Sequence, residues 1–356
     1  MVLRRDFLAG AAAWGTLASI GTASAVVVIG SAREAVIADF LKQQPFHGVI
    51  AIAKAGKPMF SRAIGLADIE AKRATTLQTP YAIASISKWL TTLAVLKLCT
   101  AGTLDLDAPI TRYLPAYRAD TGAKITLRRL LSNTSGVPNG YLAAVKADAT
   151  LVNSTLSAAE VVTRWGMGDF AFEPGSKFDY SLTNWIIVVA IVEAVTGKAF
   201  AEAMAEEVVT PLGLTHTTLS TPPDLAIAYC SVEPLQRHME NRPAFLAAGG
   251  GYYSTAEDLV AAAHKVFDGG FLAPARQSEM LRVQWAEQDY ALGGRVKMRF
   301  VDGMPRVFAW ETGRTAGYRS VLGHRFDDQT TIVLLNNTGL SQKVMDEFAI
   351  ALFGVV

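Results

Sequence analysis

The chain has 356 residues, 51% of them hydrophobic and 18% charged, with a formal net charge of +1. That composition supports a large buried core in one big domain or two lobes, and it argues against disorder. The near-zero charge carries no electrostatic footprint for nucleic acid, and two cysteines, Cys99 and Cys230, are too few for a disulfide framework, though they leave a single bridge open.

The first 25 residues read as an export signal. Arg4-Arg5-Asp6-Phe7-Leu8 precedes an apolar, alanine-rich stretch, and Ala23-Ser24-Ala25 offers the small-x-small pattern of a signal-peptidase site. The arginine pair followed by x-Phe-Leu resembles a twin-arginine signal. A membrane anchor is the alternative, but the apolar stretch is short for a span of ~20 residues. Removal after Ala25 takes away two arginines and one aspartate, which leaves equal numbers of basic and acidic residues in a periplasmic or secreted protein. No stable membrane insertion is then expected.

Apolar spacing predicts a helix over 32–43, with Ala35, Val36, Phe40 and Leu41 on one side. Residues 49–53 are strand-like, and Lys54-Ala55-Gly56-Lys57 forms a turn into a second strand over 59–67. The stretch Thr79-Pro80-Tyr81-Ala82-Ile83-Ala84-Ser85-Ile86-Ser87-Lys88-Trp89-Leu90 follows. Pro80 holds its entry extended, and helical spacing begins at Ser85. A helix starting there puts Ser85 and Lys88 one turn apart on one face, with an amine within reach of a hydroxyl. A serine becomes a nucleophile when a neighbouring base takes its proton, and a buried lysine is one such base. The ordinary alternative is a serine that merely caps a helix. Cys99, further along the same apolar run, reads as core filler.

From 105 to about 245 the sequence looks mostly helical, with candidate helices at 127–131, 158–165, 184–196 and 200–209. Within it lies a second chemical candidate, Phe172-Glu173-Pro174-Gly175-Ser176-Lys177-Phe178-Asp179-Tyr180-Ser181, a turn that delivers Tyr180 to the start of a buried helix. A phenol acts as a base only where cations stabilise its anion; otherwise such a tyrosine is core. Gly249-Gly250-Gly251 reads as a loop before a helix over 255–267. Strand signals return at 295–300, 306–309, 320–322 and 331–335, and 344–353 closes the chain as a helix. The third candidate, Trp310-Glu311-Thr312-Gly313-Arg314-Thr315-Ala316-Gly317-Tyr318-Arg319-Ser320, sits in this strand-rich part, where glycines allow close approach of backbone to a ligand.

Neither end of the chain holds enough strands for a sheet of its own. The expectation is therefore an α+β fold. One antiparallel sheet is built from both chain ends (26–90 and 246–356), is flanked by helices, and carries an inserted all-helical lobe over 91–245.

Taken together, the segments 79–90, Gly102-Thr103-Leu104-Asp105-Leu106, Ile125-Thr126-Leu127-Arg128-Arg129-Leu130-Leu131-Ser132-Asn133-Thr134-Ser135-Gly136, 172–184, 248–259 and 313–320 occur in the order found in class C β-lactamase-like serine hydrolases, which the chain resembles over nearly its whole length. That superfamily includes D,D-peptidases, D-aminopeptidases, carboxylesterases and acyltransferases. The resemblance implies Ser85 as acylated nucleophile, Lys88 as its buried proton partner and Tyr180 as general acid and base. It also implies an oxyanion hole from the backbone N–H groups of Ser85 and Arg314. Glu311, Thr312, Gly313, Trp310 and Leu182 would line the substrate site, with an ester, amide or peptide as the small-molecule substrate.

Two departures bear on substrate. Leu182 stands where an asparagine is frequent and cannot donate a hydrogen bond. Glu311 stands where Lys or His is usual, and a carboxylate there repels substrate acids and favours a protonated phenol. By alternation along a strand, Arg314 falls on the opposite face from Glu311. Asn133, in place of a frequent histidine, reads as structural. These departures favour a carboxylesterase or amidase over a β-lactamase or D,D-peptidase. The contrasting class is an inactive protein that binds cell-wall fragments. A Gly-x-Ser-x-Gly elbow is absent, and His47, His216, His238, His264 and His324 show no ligand spacing, so neither cofactor nor metal is expected.

Overall fold

The computed structural model describes residues 20–239 and 241–356, with side chains from residue 30 onward. The export-signal reading falls largely on residues 1–19, which lie outside the described residues. The first helix, α1 (Ile20–Gln43), begins twelve residues before the expected start.

A six-stranded antiparallel sheet organises the molecule. Its strands are β1 (Gly48–Lys54), β2 (Lys57–Ile64), β3 (Arg295–Val301), β4 (Met304–Arg314), β5 (Arg319–Arg325) and β6 (Thr330–Asn336). They lie in the order β2-β1-β6-β5-β4-β3, so the hairpin from the start of the chain pairs directly with its last strand. Ala55 (φ 47°) and Gly56 (φ 72°) close the β1–β2 turn with two positive φ angles, as a tight hairpin requires.

Alternation assigns each strand residue to one of two cores. Ile50 opposite Leu334, and Ile52 opposite Ile332, pack with Phe308, Trp310 and Val321 under α1 and the C-terminal helix Gln342–Phe353. Val49 opposite Leu335, and Ala51 opposite Val333, pack on the other face with Ala309 and Leu322, against the remaining helices. Three of those helices matter here: α2 (Ser87–Thr100), α3 (Leu182–Thr196) and α4 (Ala256–Phe267). Both α2 and α3 are buried over most of their circumference, which is why the apolar stripe of a surface helix is missing from their sequences. Thr255 caps α4 by accepting a hydrogen bond from the Asp258 N–H.

Several expectations change in detail. The segments 158–165 and 200–209 are each α-helical at the start and continue with wider π-type turns. The three glycines are not simply a loop: Ala247–Gly250 is a helical turn, and only Gly251 lies beyond it. Cys99 and Cys230 do not pair; Cys99 is buried, which pushes its thiol up to about 11, and Cys230 is exposed.

Candidate active site

Ser85 does not open an α-helix. It sits inside a 3-10 turn, Ala84–Ile86, and α2 begins two residues later at Ser87. Ala84 takes φ +46°, a left-handed conformation unfavourable for a residue with a Cβ, so the surroundings must impose it. They do so on both sides. Tyr81 and Ala82 pair with Ser254 and Tyr253, and the Ile83 N–H donates to the Tyr252 carbonyl at 3.0 Å. The Ile83 carbonyl accepts the Ser320 hydroxyl at 3.1 Å. Gly313 lies so close to this carbonyl that a Cβ there would come within 2.1 Å of it. The third sequence motif thus clamps the segment that carries Ser85.

Lys88 is 1% exposed, and its Nζ donates to Ser85 Oγ at 3.1 Å and to the Gly249 carbonyl. The same nitrogen lies 4.9 Å from the centre of the Tyr180 ring and 5.4 Å from that of Trp185, a cation–π arrangement. Gly249 packs closely here: a Cβ would lie 3.2 Å from the Trp185 Cβ and in contact with Lys88 Nζ at 3.5 Å. Ser87, the second serine of the tetrad, is structural: its Oγ accepts the Tyr252 N–H at 3.1 Å.

Tyr180 arrives from the other lobe, and its hydroxyl donates to Ser85 Oγ at 2.9 Å. Its position is set by the turn at Asn133-Thr134-Ser135-Gly136, where Asn133 (φ +58°) and Gly136 (φ +76°) both take left-handed backbone. The Asn133 carbonyl accepts the Asp179 N–H at 2.9 Å, and the Thr134 carbonyl accepts the Gly175 N–H at 2.7 Å. Asn184, in the first turn of α3, donates to Asn133 Oδ1 at 3.3 Å and accepts from Ser135 Oγ at 2.6 Å. Asn133 is therefore a scaffold for the tyrosine segment and fully buried.

Beneath Tyr180 lies Tyr290, a residue without any sequence motif. The two rings meet edge to face at 6.2 Å, and Phe178 and the Arg295 guanidinium close the other sides of Tyr290 at 5.1 and 5.0 Å. Burial, reinforced by the neighbouring Tyr180 and Glu311, holds the Tyr290 phenol well above the ordinary range.

Glu311 departs from expectation. It faces the helices, as alternation requires, but it is 4% exposed and does not line the cavity around Ser85. Its Oε1 accepts the Arg295 N–H at 3.0 Å and fills the space where a Cβ on Gly294 would stand, 1.4 Å away. Burial pushes the carboxyl up to about 8 against the opposing pull of Arg295, Lys297 and Lys88, so at neutral pH it holds a proton. The expected repulsion of acidic substrates by a carboxylate is accordingly weakened at neutral pH.

Trp310 is a correction too. It points to the opposite face of the sheet, 2% exposed, packing at 5.9 Å on Phe308 and 6.3 Å on Phe353. Thr312 shares that face and, like Gly313, lies outside the cavity lining. Leu182 and Arg314 do line the cavity, with Ser85, and Arg314 is exposed at the last position of β4. The Thr315 N–H donates to the Tyr318 carbonyl at 3.1 Å. In an antiparallel ladder the preceding N–H, that of Arg314, then points away from β5. It points toward the side where β3 has already ended, since β3 pairs with β4 only up to Trp310.

Among the described residues no group of acidic, histidine or cysteine side chains has the arrangement of a metal site. Sequence reasoning passed over the Gly249 carbonyl, Tyr290 and the apolar residues Val152, Met239 and Leu246 of the cavity. Only Met239 left a signal, as a lone apolar residue in Arg237-His238-Met239-Glu240-Asn241-Arg242.

Comparison with known proteins agrees with this architecture. Esterase EstB of Burkholderia gladioli is 35% identical over 195 residues, 51% of this chain and 49% of EstB. Protein flp of Staphylococcus aureus (strain COL) is 32% identical over 48% of this chain and 34% of its own length. The chain thus matches half or less of these relatives' lengths. Among solved structures, D-amino acid amidase from Ochrobactrum anthropi SV3 superposes with a TM-score of 0.78 at 22% identity, covering 92% of this chain and 98% of the amidase. EstCE1, a hydrolase with promiscuous acyltransferase activity, superposes with a TM-score of 0.74 at 22% identity over 93% and 100% of the two chains. The sequence model of the Beta-lactamase family matches residues 33–354, and this chain belongs to that family.

Proposed function

We propose that this protein is a serine hydrolase that cleaves a carboxylic ester or amide through an acyl-enzyme on Ser85. The observation that carries the reading is the convergence on one oxygen: Lys88 Nζ at 3.1 Å and the Tyr180 hydroxyl at 2.9 Å both reach Ser85 Oγ. These groups come from a 3-10 turn, a buried helix and a loop 95 residues away, an arrangement without a purpose in packing alone.

In the proposed reaction the Ser85 proton passes to the Lys88–Tyr180 pair as Oγ bonds to the acyl carbon. The carbonyl oxygen becomes an oxyanion facing the N–H groups of Ser85 and Arg314. The bond from acyl carbon to the leaving oxygen or nitrogen breaks, and the pair returns the proton to the departing group. Water then attacks the acyl carbon and gives its proton to the same pair. The bond to Ser85 Oγ breaks and Oγ regains a proton.

The absence of a cation at position 311, the apolar residues of the cavity and the esterase relative EstB support an ester or simple amide as substrate. One observation favours a second reading, a D-peptide or β-lactam bearing a carboxylate: exposed Arg314 lines the same cavity. Comparing kcat/KM for p-nitrophenyl acetate and for a penicillin separates them. The first reading expects the ester to be preferred, and a higher value for the penicillin would overturn it. Export belongs to the proposal as well, supported by Arg4-Arg5 and Ala23-Ser24-Ala25. Residues 1–25 fused to a reporter should direct it across the inner membrane, and retention in the cytoplasm would refute that part.

A further inference from the structure

The cavity that contains Ser85 has a volume of about 420 Å³ and a lining that mixes polar and apolar groups. Arg314, Thr315, His238, Asn241, Arg242 and Gly249 to Gly251 supply polar groups to its lining, and Leu182, Leu246, Val152 and Met239 supply its large apolar side chains. Two of these apolar residues are unusual in being open to solvent, Val152 at 37% and Met239 at 83% exposure. They lie on separate loops, Val152 in the turn Ala149–Asn153 and Met239 just after the small hairpin that ends at Arg237. The neighbours of these two residues join the loops: Asn241 Nδ2 donates to Asn153 Oδ1 at 2.7 Å, across 88 residues of sequence. An exposed methionine and valine brought to one opening by a neutral polar bridge gain nothing in stability where they stand. They become favourable only when an apolar group covers them.

We propose that Val152, Met239, Leu182 and Leu246 form a subsite for an unbranched aliphatic chain of the substrate, with Asn153 and Asn241 clasping its two walls together. This rests on the acyl-hydrolase reading of Ser85 and deepens it. The cavity volume falls in the lower part of the range of small-molecule sites, and it must also hold the scissile group. A chain of about four to eight carbons therefore suits it. Such a chain enters from either half of an ester, the acyl part or the alcohol part, and the apolar wall serves both equally.

The test measures kcat/KM in two series, p-nitrophenyl esters from acetate to decanoate and alkyl acetates from ethyl to octyl. Each buried methylene multiplies kcat/KM by up to about fourfold, so one series should climb by at least about tenfold before it levels off. Whichever series climbs identifies the half that occupies the wall. Met239→Glu and Val152→Asp, both at exposed positions that a charge does not unfold, should lower the long-to-short ratio in that series by about tenfold. Asn241→Ala should lower it less. Met298→Glu, an exposed methionine on β3 away from the cavity, serves as the control for a surface charge. Flat profiles in both series, or ratios unchanged by the Met239 and Val152 variants, would overturn the subsite while leaving ester hydrolysis in place. Failure of the wild-type protein to hydrolyse any ester, acetate included, would instead overturn the hydrolase reading and the subsite with it.

Discussion

Glu311 shows how one residue changes character with its surroundings. As a sequence letter it is a negative charge in a motif that usually carries a cation; in the structure it is a buried acid raised to about 8, against an ordinary value of 4.5. Between about pH 4.5 and 8 the folded state holds a proton that the unfolded state has released, so this group stabilises the fold most at low pH and loses that contribution as pH rises through 8. Glu311→Gln removes the titration. The melting temperature of the variant relative to wild type should therefore rise between pH 6 and pH 9. A constant difference across that window would show that Glu311 is ionised in the fold at neutral pH.

At the scale of elements, strand β4 separates two tasks by alternation. Its Trp310 side chain belongs to the core beneath the C-terminal helix, and its Glu311 and Gly313 belong to the side of Ser85. Trp310→Ala should cost about 3–5 kcal/mol of stability, the usual toll for emptying an aromatic site in a core. It should leave KM for a small ester unchanged while the protein is folded; a large rise in KM would put the ring back in the cleft. Gly294 on the approach to β3 makes room for the Glu311 carboxyl, so Gly294→Ala should be destabilising alone, because the carboxyl must leave its place against the Arg295 N–H. In Gly294→Ala/Glu311→Ala the colliding carboxyl is gone, and a double-mutant cycle by denaturant unfolding should return a favourable coupling of more than ~1 kcal/mol. Additive losses would mean that the two do not touch.

These strands also show what a sequence discloses. The β4 and β6 segments announced themselves by β-branched and aromatic runs, and a sheet shared by both chain ends followed from neither end having enough strands, but the pairing of the first hairpin with the last strand was seen only in the structure. Ser85 and Lys88 were legible as a pair by their spacing, while Tyr180 stood out only through the order of motifs that the chain shares with its family. Trp310 was misplaced since adjacency in a motif was taken for adjacency in space, which a period of two forbids. Tyr290 stayed hidden because a residue that supports a ring from below answers to tertiary contacts that no local pattern encodes, and Met239, apolar in a polar stretch, gave a signal too slight to place it at an opening. The start of α2 was missed for a related reason: the 3-10 turn and the left-handed Ala84 are imposed by Tyr252, Ser320 and Gly313 from far along the chain.

For the molecule as a whole, the sheet fixes the Ser85 turn and the helical lobe fixes Tyr180, and the proposed hydrolysis depends on the two meeting. Intact-mass spectrometry after incubation with a fluorophosphonate tests that meeting most directly. The account predicts one covalent adduct on the wild-type protein, none on Ser85→Ala, and slow labelling of Tyr180→Phe. An adduct that persists in Ser85→Ala, or a wild-type protein that no acylating or phosphonylating probe modifies, would contradict it.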